Sequence, residues 1–176
     1  MAGSRCCSVL GLLVLASCGA GIRYGADYTP EHDFGGYSTF QWEAADPLPT
    51  GDPRLDANPF FDQRVRGAVE AELLARGLRT ASDPDLTVHY HVAIRERLEV
   101  LEPDRTRPVI PGEVQEVRSW EEGTLLVDVV DTEVGEVVWR GWAQTDVTGL
   151  ADDPRREEAR IQEAVALMFD RFPVRE

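Results

Sequence analysis

The chain has 176 residues and carries 18 Arg and no Lys against 32 acidic residues, which gives a net charge of −14 at neutral pH. This acidity excludes a polybasic nucleic-acid binder, because too few cations are present to replace the counterions of the phosphate backbone. No apolar run reaches the length of about 18 residues that a membrane-spanning helix needs, which excludes a multi-pass membrane protein. Hydrophobic residues make up 43% of the chain and fall in periodic segments, so we expect one folded domain.

Residues 1–17 are predicted to be a signal peptide. Arg5 supplies a positive charge, and an apolar run follows that is too short to anchor the chain by itself. The run ends in LASC at positions 15–18, which resembles the lipobox of bacterial lipoproteins. The resemblance implies cleavage between Ser17 and Cys18, a diacylglyceryl thioether on Cys18, and a further fatty acyl chain such as palmitate on the new amino group. The alternative is an ordinary secretory peptide cleaved near Ala20.

Lipidation sets the expected location. Cys6 and Cys7 leave with the signal peptide, so the mature chain has no thiol free to form a disulfide. Gly19 stands where an Asp would retain a lipoprotein in the inner membrane, so the resemblance implies the outer membrane, with the protein facing the periplasm. Residues 18–21 form a short tether, and the covalent lipid is the only cofactor expected. The expected partners are the membrane, through the lipid, and an envelope protein, with no nucleic acid.

Residues 22–176 are predicted to form one α+β domain in the order β-β-α-β-β-β-α. Alternating apolar residues predict the strands, and apolar stripes at helical spacing predict the helices. In chain order we predict a strand from 22, a strand at 37–43, a loop at 44–58, a helix at 59–76, a strand at 86–95, a long exposed loop at 96–122, a β-hairpin at 124–143 and a helix at 154–172.

The helix ends and the strand pattern indicate how these elements pack. Asn58 and either Asp152 or Asp153 are predicted helix caps, each followed closely by a proline, and Gly77 is a predicted left-handed stop. Each helix is apolar along one stripe only, and the strand at 86–95 alternates between apolar and polar residues. We therefore predict a two-layer sandwich, with a mainly antiparallel sheet and both helices packed on one face.

Several segments in this order resemble a bacterial lipoprotein family known as domain of unknown function 4136. The segments that carry the resemblance are DF at 33–34, YSTFQW at 37–42, DQRVR at 62–66, EAELLARGL at 70–78, DPDLTVHYH at 83–91, EGTL at 122–125, VWRG at 138–141 and FP at 172–173. The resemblance covers roughly residues 22–173 and implies a small envelope lipoprotein. It implies no known activity, substrate or catalytic residue.

Four residues are the candidate binding face. His89 and His91 lie two apart on a predicted strand, so both face away from the core. They are candidate metal ligands if Asp128 on a neighbouring strand lies close, but two histidines alone are more simply interpreted as solvated side chains. Trp142 is predicted to share this face with Arg140, and an exposed aromatic beside cations suits a partner or ligand. The alternative places both tryptophans of the hairpin in the core.

The sequence contains no calcium loop, no serine-hydrolase elbow and no phosphate loop or dinucleotide fingerprint. Asp83 and Asp85 are interpreted as turn residues. The leading hypothesis is a non-catalytic envelope lipoprotein that binds or assembles with a partner. A metal-dependent hydrolase using His89 and His91, and a carrier of an apolar ligand between the sheet and the helices, stay open as alternatives. A buried carboxylate in a concave pocket favours the enzyme, an exposed aromatic favours binding, and a large apolar cavity favours the carrier.

Overall fold

A computed structural model of the protein describes residues 21–43, 49–56, 58–101 and 116–173. The predicted signal peptide, the cleavage site and Cys18 therefore lie outside the described residues, as do parts of the two predicted loops. Within these ranges, no helix combines the length and the hydropathy needed to span a membrane.

The described residues form a six-stranded sheet and two helices, which confirms the predicted α+β class. The elements are β1 (Arg23–Tyr28), β2 (Thr39–Trp42), α1 (Pro59–Ala75), β3 (Arg79–Thr80), β4 (Leu86–Val100), β5 (Val117–Asp131), β6 (Val137–Asp146) and α2 (Pro154–Phe169), with one-turn 3₁₀ helices at Phe34–Gly36 and Leu150–Asp152. The strands lie in the order β1-β6-β5-β4-β2-β3. All neighbours are antiparallel except β2, which runs parallel to both β3 and β4.

The structure adds one short strand to the predicted elements and moves the start of another. A two-residue strand, β3, follows α1, and it is too short to produce an alternating pattern in the sequence. The second strand begins at Thr39 and not at Tyr37, because the Tyr37 amide donates to the carbonyl of Phe34 and closes the preceding 3₁₀ turn.

The predicted exposed loop at 96–122 is wrong at both ends. β4 continues to Val100 and β5 already begins at Val117, and these two residues face each other across the hairpin. The charges that suggested a loop are compatible with strands here, because they pair across the sheet. The Arg97 guanidinium, for example, lies 2.6 Å from the Glu122 carboxylate. Residues 102–115, which contain all three prolines of the predicted loop, lie outside the described residues.

Both helices begin at the predicted caps. The Asn58 side chain accepts hydrogen bonds from the amides of Phe60 and Phe61, and the Asp153 side chain accepts from those of Arg155 and Arg156. A proline occupies the first turn of each helix. After α1, Gly77 has a φ of +85°, which is the left-handed conformation predicted for the stop.

A single core lies between the helices and one face of the sheet. Its fully buried members come from both layers and are Phe40, Leu86, Val88, Val127, Val129, Trp139, Val65, Val69, Leu73, Val165, Met168 and Phe169. Trp139 is the largest of them, and its ring packs 4.8 Å from that of Phe169 and 5.1 Å from that of Phe172. Both helices therefore cover the same face, as predicted. We call the opposite side of the sheet, which neither of the described helices covers, the open face.

Asp85 fastens the start of β2 to the start of β4. Its Oδ2 atom accepts from the Ser38 amide at 2.7 Å, the Thr39 amide at 2.9 Å and the Ser38 hydroxyl at 3.0 Å. In return, the Thr39 hydroxyl accepts from the Asp85 amide. The bonds from Ser38 and Thr39 lower the pKa of Asp85 to about 2. This turn residue is therefore the polar link of the parallel strand pair.

We expect Asp85 to stabilise the protein in a pH-dependent way. Its folded pKa lies below the value of about 3.9 for an unfolded Asp, so the contribution is complete above about pH 4 and disappears as the pH falls towards 2. Asp85→Asn should lower the free energy of unfolding by about 1–2 kcal/mol at pH 6 and by almost nothing at pH 2. The loss at pH 6 stays this small because the side chain is partly exposed to water. Urea unfolding of the variant between pH 6 and pH 2 measures this difference. Asp83→Asn is the matched control. A constant difference across the range would contradict the prediction.

Candidate functional site

Five polar side chains form a line across the open face, one from each of five adjacent strands or strand ends. We call this line the charged row; it consists of Glu43, His89, Asp128, Arg140 and Asp27. The strand register produces it, because His89 pairs with Asp128, Asp128 with Arg140, and Arg140 with Asp27. Glu43 joins at the end of β2, where its amide donates to the carbonyl of Val88.

Asp128 is the centre of the charged row and is only 1% exposed, although it lies on the open face. Arg140 covers it with a bidentate ion pair, from Nε to Oδ1 at 2.5 Å and from Nη2 to Oδ2 at 2.6 Å. This hydrogen bonding to Asp128 is the main cause that raises the pKa of Arg140, and the nearby Asp27 carboxylate acts in the same direction. The pair compensates for the removal of the Asp128 carboxylate from water.

His89 stands between two carboxylates. Its Nδ1 lies 3.1 Å from Oε2 of Glu43, and its Nε2 lies 3.2 Å from Oδ2 of Asp128. The ring of His91 lies beside it, with the two ring centroids 5.5 Å apart. His89, His91 and Asp128 each offer one ligand atom, and these three atoms lie within 4.8 Å of one another. This cluster has the donor types that bind divalent transition metals.

Trp142 follows Arg140 of the charged row by two residues on β6, so both side chains lie on the open face. It is 38% exposed on the open face, whereas Trp139 is fully buried on the helix side. The indole of Trp142 lies against Gly25 of β1, where an added Cβ would come within 2.9 Å of Nε1. Gly25 therefore allows a large aromatic to lie against the edge strand. The register places Trp142, Leu126 and His91 side by side, so Leu126 separates the indole from the histidine pair.

A second ion cluster lies further along the open face. Glu122 is 7% exposed, and its carboxylate pairs with Arg23 at 2.7 Å and with Arg97 at 2.6 Å. Arg23 comes from the edge strand β1, and Arg97 comes from β4 on the other side of β5. The open face therefore includes two covered carboxylates, two histidines and the partly exposed Trp142.

An apolar cavity of about 80 Å³ lies between the sheet and the helices, at the end of the core near the β4–β5 hairpin. Its apolar lining includes residues of both layers, among them Val92, Leu125, Phe61 and Ile161. For comparison, an engineered cavity of about 150 Å³ holds one benzene molecule. A cavity of this size does not favour the carrier alternative.

The structure brings all four predicted face residues, His89, His91, Arg140 and Trp142, to the open face, and it brings Asp128 to His89. The period of two along a strand was the signal for this placement. Sequence reasoning assigned no role to Glu43, Asp27, Leu126, Gly25 and Glu122. Alternation indicates which face a residue occupies, but no local signal indicates which residues of other strands stand beside it.

Comparisons with known proteins support the fold and name a family. The family model described as domain of unknown function (DUF4136) matches residues 25–174. No curated protein matches the chain. A PDZ domain protein from Parabacteroides distasonis aligns with a TM-score of 0.59 at 17% identity, over 88% of this chain but only 36% of that one, which shows a similar fold alone. A PelC dodecamer from Paraburkholderia phytofirmans aligns with a TM-score of 0.48 at 13% identity, over 89% of this chain and 99% of that one.

Proposed function

The chain belongs to the family described as domain of unknown function (DUF4136), and on that premise we propose that it is a lipid-anchored protein of the bacterial cell envelope that acts by binding a partner protein. The LASC sequence at 15–18, after a charged residue and a short apolar run, supports attachment through a lipid on Cys18. Gly19, at the position where an Asp would retain the protein in the inner membrane, supports a location at the outer membrane with the domain facing the periplasm. Several acyl chains anchor a protein durably, whereas a single chain binds only marginally.

The position of β1 supports a domain that lies close to the membrane surface. Gly25 follows Cys18 by seven residues, and seven extended residues span at most about 24 Å. Because the indole of Trp142 lies against Gly25, this part of the open face stays within that reach of the anchor. The loss of Arg5 with the signal peptide changes the net charge from −14 to −15. An anionic membrane surface repels such a domain, so we propose that it is tethered and does not insert.

The observation that carries the binding role is the composition of the open face. Trp142 offers a partly exposed aromatic surface, and Arg140 and His89 stand beside it with the almost completely buried Asp128. Aromatic residues and arginine, held in place by their neighbours, are the residue types that contribute most to protein–protein affinity. In the charged row, Arg140 is held by Asp128 and His89 lies between two acidic side chains, so the surface is ordered before a partner arrives.

Site-specific photo-crosslinking in native envelopes tests this proposal. A photoreactive residue at Gln144, next to Trp142 on the open face, should give one discrete crosslinked protein. The same residue at Gln162, exposed on α2, is the matched control and should not give that product. Adding Trp142→Ala to the Gln144 probe should reduce the product at least about fivefold, the effect of losing 1 kcal/mol or more of affinity. Equal products from both positions, or a product at Gln144 that Trp142→Ala leaves unchanged, would overturn the proposal.

A metal-dependent hydrolase is the second candidate, because the ligand atoms of His89, His91 and Asp128 lie within 4.8 Å of one another. This candidate requires turnover of an activated ester or phosphoester with added Zn²⁺, and loss of that turnover in His91→Gln. The binding proposal expects no turnover above that of the free ion.

A further inference from the structure

We propose that His89, His91 and Asp128 bind a divalent transition-metal ion, with Zn²⁺ as the best fit. Two imidazoles and one carboxylate are a donor set that suits Zn²⁺, and three protein ligands leave a fourth position open in a tetrahedral site. This inference deepens the proposed function, because the open position can accept a side chain of the docked partner. Only that last role rests on the proposed function, since the site itself belongs to this chain alone.

The spacing of the donor atoms fits a tetrahedral ion. At Zn–N and Zn–O distances of about 2.0–2.1 Å, two ligand atoms of a tetrahedral site lie about 3.3 Å apart. Nε2 of His89 and Oδ2 of Asp128 already lie 3.2 Å apart. The widest separation in the set is 4.8 Å or less, so His91 needs to approach by at most about 1.5 Å. The centroid of the His91 ring lies 5.5 Å from that of the His89 ring.

The contacts of His89 suit a metal ion at its Nε2 atom. Both ring nitrogens face carboxylate oxygens, at 3.1 Å on the Glu43 side and 3.2 Å on the Asp128 side. A neutral imidazole carries only one N–H, and an ionised carboxylate only accepts, so one contact would set two lone pairs against each other. A metal ion bound by both Nε2 of His89 and Oδ2 of Asp128 would remove that conflict. The contact with Glu43 is the one that metal-binding histidines commonly make through their other nitrogen.

Arg140 does not occupy the position that the ion needs. An ionised carboxylate has about four lone-pair positions, and Arg140 uses one on each oxygen of Asp128. A second lone pair on Oδ2 stays available on the side of His89. The charge also fits, because the three carboxylates and one guanidinium of the charged row leave two negative charges for a divalent ion to neutralise.

Isothermal titration of the purified full-length lipidated protein in detergent, stripped of metal and near neutral pH, tests this site with Zn²⁺ alone. We expect saturable binding of one ion per chain. His91→Gln should weaken binding at least about tenfold, and Glu43→Gln should weaken it about 10–100-fold by releasing the His89 ring. His32→Gln is the matched control. His32 is the only other histidine of the chain, and its Nε2 atom lies 2.5 Å from the Tyr37 hydroxyl and not in this cluster.

The deciding variants sit at partly exposed positions, so they test the ligands without removing the buried carboxylate. Circular dichroism of His91→Gln and Glu43→Gln should match that of the unchanged protein. Substituting Co²⁺ should give the visible absorption bands of a tetrahedral ion, and these should disappear in His91→Gln. Absence of saturable Zn²⁺ binding, or equal affinity in His91→Gln, would overturn the proposal. Either result leaves the crosslinking outcome at Gln144 unaffected, so the two proposals fail separately.

Discussion

Gly141→Ala is expected to destabilise the protein by about 3 kcal/mol, because it places a methyl group against the buried ring of Trp139. An added Cβ would come within 2.8 Å of Cζ2 of Trp139, and closer still to Cη2. The ring cannot move away, since Trp139 is fully buried between Phe169 and Phe172. Equilibrium unfolding in urea measures the loss.

Gly67→Ala is the matched control for this prediction. Gly67 lies in α1, and an added Cβ there meets nothing within 4 Å. Because alanine favours the helix, this substitution should stabilise the protein by up to about 1 kcal/mol. Similar stabilities of the two variants would show that the Trp139 ring does not lie over Gly141 as described.

Arg140→Met is expected to cost about 2 kcal/mol, and most of that cost should come from the unpaired carboxylate that it leaves behind. Asp128 is 1% exposed and loses both bonds of its bidentate partner. The cost stays below that of a deeply buried pair, because the Arg140 side chain is 48% exposed and water can enter when it is removed.

A double-mutant cycle separates this effect from lost packing. Asp128→Asn removes the charge while keeping the shape, so adding it to Arg140→Met should recover at least about 1 kcal/mol relative to the sum of the single variants. Urea unfolding of the four proteins gives the coupling energy. If the losses of stability in the two single variants simply add up in the double variant, the ion pair with Arg140 does not stabilise the Asp128 carboxylate, which would contradict the prediction.

The sequence correctly predicted which face of the sheet each site residue occupies, because that depends only on neighbouring residues of the same strand. His89 and His91 share a face because strand residues alternate with a period of two, and the alternating apolar residues Leu86, Val88 and Val92 identify the core side. The caps at Asn58 and Asp153 were predictable for the same reason, because a cap bonds to amides two or three residues away.

The neighbours across the sheet could not be predicted, because they depend on pairing between strands that are far apart in the chain. Glu43 reaches His89 only because β2 pairs parallel with β4, and Asp27 reaches Arg140 only because β1 pairs with β6. The loop predicted at 96–122 failed for a related reason. Composition suggested solvent, whereas ion pairs such as Arg97 with Glu122 allow both strands to continue into solvent.

Mass spectrometry of the protein purified from its native membrane tests the central claim, that a lipid fixes the molecule to the envelope. The account predicts that the amino-terminal peptide begins at Cys18 and carries a diacylglyceryl group on sulfur and an acyl chain on nitrogen. An unmodified amino terminus downstream of Cys18 would contradict it.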